Sequence, residues 1–322
     1  MLGSKLLCGA AIVLVSAAAA GSADAKEQFT TFDPEGSIYT FAAGINAGGT
    51  VAGYYEDSHG AAHGFVRMSD GTITSFDPPG AYYTEATGIN DKGEVVGWYS
   101  DNSGTFYSFV RAADGTITKF NPTQGKQPEA VGLNAKGKVA GWYLMNGDQG
   151  AGFVGNPEGK IKQLSVEGTA INTKGAVTGI DGSQGFVRSA SGKMVSFEAP
   201  DDPNTTVPTN INDSGTVVGY GETICGISRG FSRNAHGSLT SITPDDSEAS
   251  QVLGISDKGA MTGTYYYGGY HGFVRDADGN YTTFDITGDT YGTYPQSINT
   301  KGEVAGGYRD DGDRMHGFVG TP

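Results

Sequence analysis

Three histidines stand at matching places in this chain. His63, His271 and His316 are each followed by Gly-Phe. Imidazole is the commonest metal ligand, so they are tested first for metal chemistry. Equivalent positions of a repeat lie well apart in space. They cannot share one ion at ligand distances of about 2 Å. A structural role at the start of a strand is the expectation, and no H-E-x-x-H or Cys-His cluster occurs. Asp310, Asp311 and Asp313 could offer oxygens to calcium, but they lack the spacing of a known calcium loop.

The remaining candidates are acids and tyrosines in segments that vary between repeats. The acids include Glu56, Asp57, Asp101, Asp148 and Glu222; the aromatics include Tyr82, Tyr83, Tyr266, Tyr267, Tyr270, Tyr291 and Tyr294. A phenol offers an apolar face and a hydroxyl, which suits sugar rings and protein surfaces. Two carboxylates at the right separation could also cleave a glycosidic bond. The expected binding residues are these seven tyrosines with Glu56, Asp57 and Asp101. Solvated acidic loops are the competing reading for any single acid. No catalytic residue and no cofactor are assigned.

What positions these residues is a phrase repeated seven times. It reads G-I-N, a turn, G-x-V-x-G-x-Y, then H-G-F-V-R, then D-G-T-I-T-x-F-D. Its Asn falls at Asn46, Asn90, Asn134, Asn172, Asn212 and Asn299, with Ser256 in the sixth copy. A period near forty with several short strands per unit marks a β-propeller. In the second copy the strands are expected at 86–90, 94–99, 106–111 and 116–120, joined by N-x-x-G and D-G turns. Adjacent apolar pairs such as Val95-Val96 and Phe109-Val110 require both strand faces to be buried. A Gly recurs inside the second strand (Gly53, Gly97, Gly141), for which close packing between neighbouring blades is the expected reason. The Asn of G-I-N, the Asp-Gly pairs and the F-D-P segments at 32–34 and 76–78 are read as turn chemistry.

Residues 29–33 match the fourth strand, and the last residues, 317–320, match the third. The expectation is therefore an all-β, seven-bladed β-propeller of four-stranded blades, closed by pairing of the N-terminal strand with the C-terminal blade. The segments Gly88-Ile89-Asn90, Gly93-Glu94-Val95-Val96-Gly97 and His63-Gly64-Phe65 resemble the HAF family of secreted repeat proteins. The hallmark of that family is G-I-N-x-x-G-x-V-x-G followed by H-A-F. The middle residue of the triplet is Gly here, and three copies keep the His. The resemblance implies an extracellular repeat protein and no established catalytic activity.

Residues 1–25 read as a secretory signal peptide. Lys5 precedes an apolar run, and Ala23-Asp24-Ala25 is an A-x-A cleavage site. Residues 26–322 then form a single propeller domain. A net charge of −14 disfavours nucleic acid and anionic membrane as partners. One cysteine, Cys225, lies beyond the signal segment, so no intramolecular disulfide is expected there.

The variable loops share one rim and the tight turns the other. Binding is expected on the loop rim. The first reading is a secreted, non-catalytic module that binds an extracellular protein or glycan. A carboxylate-based propeller hydrolase or lyase is the alternative, and a structural envelope protein the third. The first strands, expected to line the axis, carry little beyond Gly, Ile, Ala and Thr, which counts against catalysis.

Overall fold

The computed structural model describes residues 28–122, 126–145, 149–201 and 203–322. The expected signal segment lies outside them, as does Asp148. The described residues hold 28 strands and no helix. They form five four-stranded antiparallel sheets and one of eight. The eight-stranded sheet is two four-strand runs, joined by a single bridge between Ala62 and Tyr83.

The second copy runs Ala81–Ile89, Val95–Asp101, Phe106–Arg111 and Ile117–Phe120. Its first strand starts five residues before the expected Ala86. Tyr82, Tyr83 and Thr84 are β-favouring residues, and the second strand is long enough to pair with them through Asp101 and Ser100. Tyr82 and Tyr83 therefore stand in a strand and not in an inter-sheet loop.

Each first strand carries a bulge at the same place, as between Ala42 and Gly44 and between Ala86 and Gly88. This explains the strand glycine, and it corrects the expected reason. A Cβ on Gly97 would lie 2.0 Å from the Glu85 carbonyl and 2.8 Å from the Phe109 ring. Both belong to the same sheet as Gly97. The constraint is the bulge beside it, not a neighbouring sheet.

The third strand of every four-strand run supplies a fully buried Phe: Phe65, Phe109, Phe153, Phe186, Phe231, Phe273 and Phe318. These anchor separate apolar clusters between successive sheets. In three copies the Arg that ends this strand reaches onto the preceding four strands. Arg67 lies 5.0 Å from the Phe32 ring and Arg111 5.0 Å from Phe76.

The repeated Asn does more than shape its turn. The Asn46 side-chain oxygen accepts from the backbone of Gly48 and Thr50, as a turn residue does. Its amide donates to the carbonyl of Asn90 at 3.2 Å. Asn90 donates in turn to Asn134, Asn134 to Asn172, Asn172 to Asn212, and Asn212 to Ser256. Asn299 donates to Asn46 at 3.0 Å, so the series returns to its start. Ser256 has no amide with which to continue the chain of donors.

The strand Gln28–Phe32 pairs with Met315–Thr321, with Thr31 opposite Phe318. Phe29 stacks on Phe284 at 4.9 Å and meets Phe318 edge-on at 5.6 Å. Phe32 lies against Phe65 of the next sheet.

The Asp of F-D is not merely a turn residue, contrary to the expectation. Asp33 and Asp77 accept from the histidines: His316 Nδ1 lies 2.7 Å from Asp33, and His63 Nδ1 2.8 Å from Asp77. His271 pairs with Asp285 in the same way. In the fourth copy Gln184 and Glu198 occupy the two positions and keep the contact, at 2.9 Å. The histidine role is thus a strand-to-strand clamp, with a Tyr ring about 5.1 Å from the imidazole of His63 and of His316.

The His316 clamp ties the N-terminal segment to the last sheet and titrates. Burial lowers the imidazole pKa, but hydrogen bonds to Asp33 and Asp310 more than offset this and hold it above the ordinary 6.5. A raised folded-state value stabilises fully below the unfolded value and stops doing so as pH rises through the folded one. Asp310 is shifted down, chiefly by a backbone hydrogen bond from Arg314, so its share is lost only in acid. The stability difference between the wild type and His316→Gln is expected to be largest in mildly acidic buffer. It should shrink as pH is raised above the histidine range, which thermal melts across pH will read. A difference that grows with pH would contradict the clamp.

Candidate functional site

Antiparallel pairing puts the start of each first strand, the end of each second and the start of each third on one rim. Near that rim the first three copies place large residues at one repeated register. Phe41 is opposite Tyr54, Glu85 opposite Trp98, and Glu129 opposite Trp142. In the other four copies the pairs are Glu167 with Ile180, Val207 with Tyr220, Gln251 with Thr264, and Tyr294 with Gly307. The aromatic–acid character is thus concentrated on one side of the repeat.

The rings there form a wall of two neighbouring groups. Tyr39 stacks on Tyr54 at 5.9 Å, and Phe41 meets Tyr54 at 5.8 Å. Tyr83 stacks on Trp98 at 5.6 Å, and Trp98 on Phe106 at 5.5 Å. The Tyr83 hydroxyl donates to Glu56 Oε1 at 3.3 Å.

Carboxylates sit among these rings. Burial pushes Glu85 upward, and Glu56 adds repulsion, while hydrogen bonds from Tyr83 and Trp98 act the other way. Glu129 is pushed up to about 7, by burial first and then by the charge of Glu85. The phenols of Tyr54 and Tyr83 are also raised, by burial and then by Glu85. They stay protonated and can donate. The wall thus offers flat apolar faces, phenol donors and carboxylate acceptors within one patch.

A second aromatic group adjoins it. Tyr270 lies 5.1 Å from Tyr266 and 5.6 Å from Tyr294, and the Tyr294 hydroxyl donates to the Tyr291 carbonyl. A cavity of about 120 Å³ beside Tyr266 and Tyr270 is lined by Gln251 and Thr264 among others. The charge of Arg309 acts on both Tyr39 and Tyr294, which links the two groups.

The expected site residues therefore divide. Glu56 and Tyr83 join the wall; Tyr266, Tyr270, Tyr291 and Tyr294 join the second group. Tyr82 and Tyr267 are exposed, at 50% and 58%, and no ring contact links either to these groups. Asp57 and Asp101 are turned to their own loops. Asp57 accepts from the backbone of His59 and Ala61, and Asp101 from Ser103 and Thr105. Backbone hydrogen bonds lower the Asp57 carboxyl, and the Ser103 hydroxyl, with the backbone of Thr105 and Ser103, lowers that of Asp101. Asp310 caps its loop likewise through Gly312 and Arg314, and Asp313 pairs with Arg309. Among the described residues no group of three His, Cys, Asp or Glu is placed to hold a metal ion.

The axis itself holds a cavity of about 410 Å³. The bulge residues line it, including Thr87, Thr169, Thr209 and Gln296. Thr87 and Thr209 turn their hydroxyls to carbonyls of the next sheet, Ala130 and Val252, at 2.8 Å. The expected small lining holds for this stretch. The other half of the same strands carries Glu85, Glu129, Tyr39 and Phe41, which the expectation overlooked. The signal was present in G-x-V-x-G-x-Y: the variable residue before the Tyr is Tyr54, Trp98 and Trp142 in the first three copies.

No family model matches the chain, and no curated protein matches it in sequence. Solved structures do match in fold. The β-propeller domain of the Trilobed protease from Pyrococcus furiosus aligns with a TM-score of 0.64 at 11% identity, covering 88% of this chain and 95% of that one. Virginiamycin B lyase from Staphylococcus aureus aligns at 0.60 and 14%, covering 92% and 100%. The BP39L lectin from Burkholderia pseudomallei aligns at 0.54 and 8%, covering 88% and 97%. At these identities the likeness establishes the β-propeller fold and no activity.

Proposed function

We propose that the chain is a secreted seven-bladed propeller that binds an extracellular glycan at the aromatic wall of its loop rim. The seven-bladed, closed form is supported by the seven four-strand runs, by the pairing of Gln28–Phe32 with Met315–Thr321, and by the Asn series that returns from Asn299 to Asn46. Export and the HAF assignment rest on the signal-like leader and on the repeat phrase. The observation that carries the binding reading is the Tyr83–Trp98–Phe106 stack with Glu56 and Glu85 beside it. Sugar rings pack their C–H faces on such rings and present hydroxyls to phenol and carboxylate partners. A panel of immobilised neutral oligosaccharides, probed with the chain from residue 26 onward, tests it. Selective, saturable capture is the expected result. No capture of any saccharide would overturn the reading.

One observation favours a second reading, a carboxylate-based hydrolase or lyase. Glu129, held near neutrality beside Glu85, has the protonation behaviour of a general acid. Turnover of a captured glycan, lost in Glu129→Gln with binding retained, would favour catalysis over simple binding.

A further inference from the structure

The opposite rim, where the tight turns lie, has a cationic groove between the sheet that ends in Ile161–Leu164 and the one that begins with Glu167–Ile171. Its cavity is about 330 Å³. Lys138, Lys160, Lys162 and Arg188 line it, and no acid does. In a chain of net charge −14 such a grouping is unbalanced. The three lysines are exposed, and their ammonium groups have no hydrogen-bond or ion-pair partner among the described residues.

Arg188 is a different case, because it is only 8% exposed. Its counterparts lie over aromatic rings: Arg67 over Phe32, Arg111 over Phe76 and Arg233 over Phe197. The position matching those rings is Leu164 in the sheet beside Arg188. Its guanidinium therefore lacks the π-face that the others use, and keeps one long hydrogen bond, 3.4 Å to the Ser189 carbonyl. An arginine without a ring partner and three unpaired lysines around one groove can give an oxyanion charge-assisted hydrogen bonds.

The arrangement selects the kind of polyanion. Lys160 immediately precedes the strand Ile161–Leu164 and Lys162 lies within it, so the two are at most about 7 Å apart along the chain. A run of oxyanions along the groove would meet them in turn. Duplex DNA carries a charge every ~1.7 Å, and its flanks would be repelled by the acidic body. A chain with one charge per sugar is repelled far less. We propose that this groove binds an acidic polysaccharide of the polyuronate class, at a site separate from the aromatic wall.

The test is anisotropy titration of a fluorescein-labelled oligogalacturonate with the chain from residue 26 onward, over a salt series. Arg188 is left intact because it is buried. The triple variant Lys138→Gln, Lys160→Gln, Lys162→Gln is expected to bind roughly tenfold or more weakly, with a log–log salt slope shallower by about 2 to 3. Trp98→Ala should leave this binding unchanged. The proposal fails if the wild type does not bind at low salt, or if the triple variant binds as the wild type does. It fails equally if duplex DNA of the same total charge binds as tightly as the oligogalacturonate.

Discussion

Removal of residues 28–33 is expected to cost most of the stability of the fold and to make the chain associate. The strand Gln28–Phe32 completes the sheet that contains Met315–Thr321. Its loss bares the backbone of that strand, a ready template for pairing with another copy. Three ring contacts and one cation–π contact go with it: Phe29 against Phe284 and Phe318, Phe32 against Phe65, and Arg67 over Phe32. So does the Asp33 partner of His316. Phe29 and Phe32 are half-buried, so each costs less than the roughly 3–5 kcal/mol of a fully buried Phe, yet the two together are large against a total of roughly 5–15 for a whole domain. A melting temperature lower by about 10 °C or more is expected. Light scattering should show association that grows with concentration. A truncated chain that stays monomeric and melts unchanged would show that this strand does not fasten the fold.

The second large effect concerns the aromatic wall. Trp98→Ala removes the middle ring of the stack with Tyr83 and Phe106 and bares Glu85, which its indole N–H helps to satisfy. Loss of a buried aromatic anchor costs about 2 kcal/mol or more of binding, roughly thirtyfold in Kd. Tyr83→Phe keeps the ring and removes only the hydroxyl's hydrogen bonds to Glu56 and Glu85, so a smaller loss is expected. Substitutions at Tyr82 and Tyr267, which stand apart from the wall, should change little. The ordering Trp98→Ala, then Tyr83→Phe, then Tyr82→Ala is the measurable result, by calorimetry on folded variants. Equal affinities across the three would remove the wall from consideration.

Much of the fold was legible in the sequence because a repeat reports its own period. The spacing of Asn46, Asn90 and Asn134, the paired apolar residues and the split between residues 29–33 and 317–320 all lead to four-stranded sheets with the N-terminal strand on the last of them. The physical reason for the strand glycine was not legible. A bulge is a property of pairing register, and the Glu85 carbonyl that crowds Gly97 is not its neighbour in sequence. The His–Asp clamp was hidden for a similar reason. His316 and Asp33 come together only when the two ends of the chain share a sheet.

The candidate site was half legible. Non-repeating tyrosines and acids pointed to the rim where the aromatic wall lies, and to Glu56 and Tyr83 within it, but not to Glu85, Trp98 or Phe106. Asp57 and Asp101 look like free acids in sequence, yet each is occupied by its own loop. Glu85 and Glu129 carry no such signal in the sequence. They lie in strands, at a position where the repeat tolerates any residue.

The central claim, that a glycan is held at this wall, has a built-in reporter. The chain has two tryptophans, Trp98 and Trp142, and both stand at the aromatic–acid register. Titration of the chain with a captured oligosaccharide should produce a saturable change in intrinsic tryptophan emission. That change should persist in Trp142→Phe and give the same Kd as calorimetry. A ligand that binds by calorimetry while the emission of both tryptophans stays constant would place the glycan elsewhere and contradict the account.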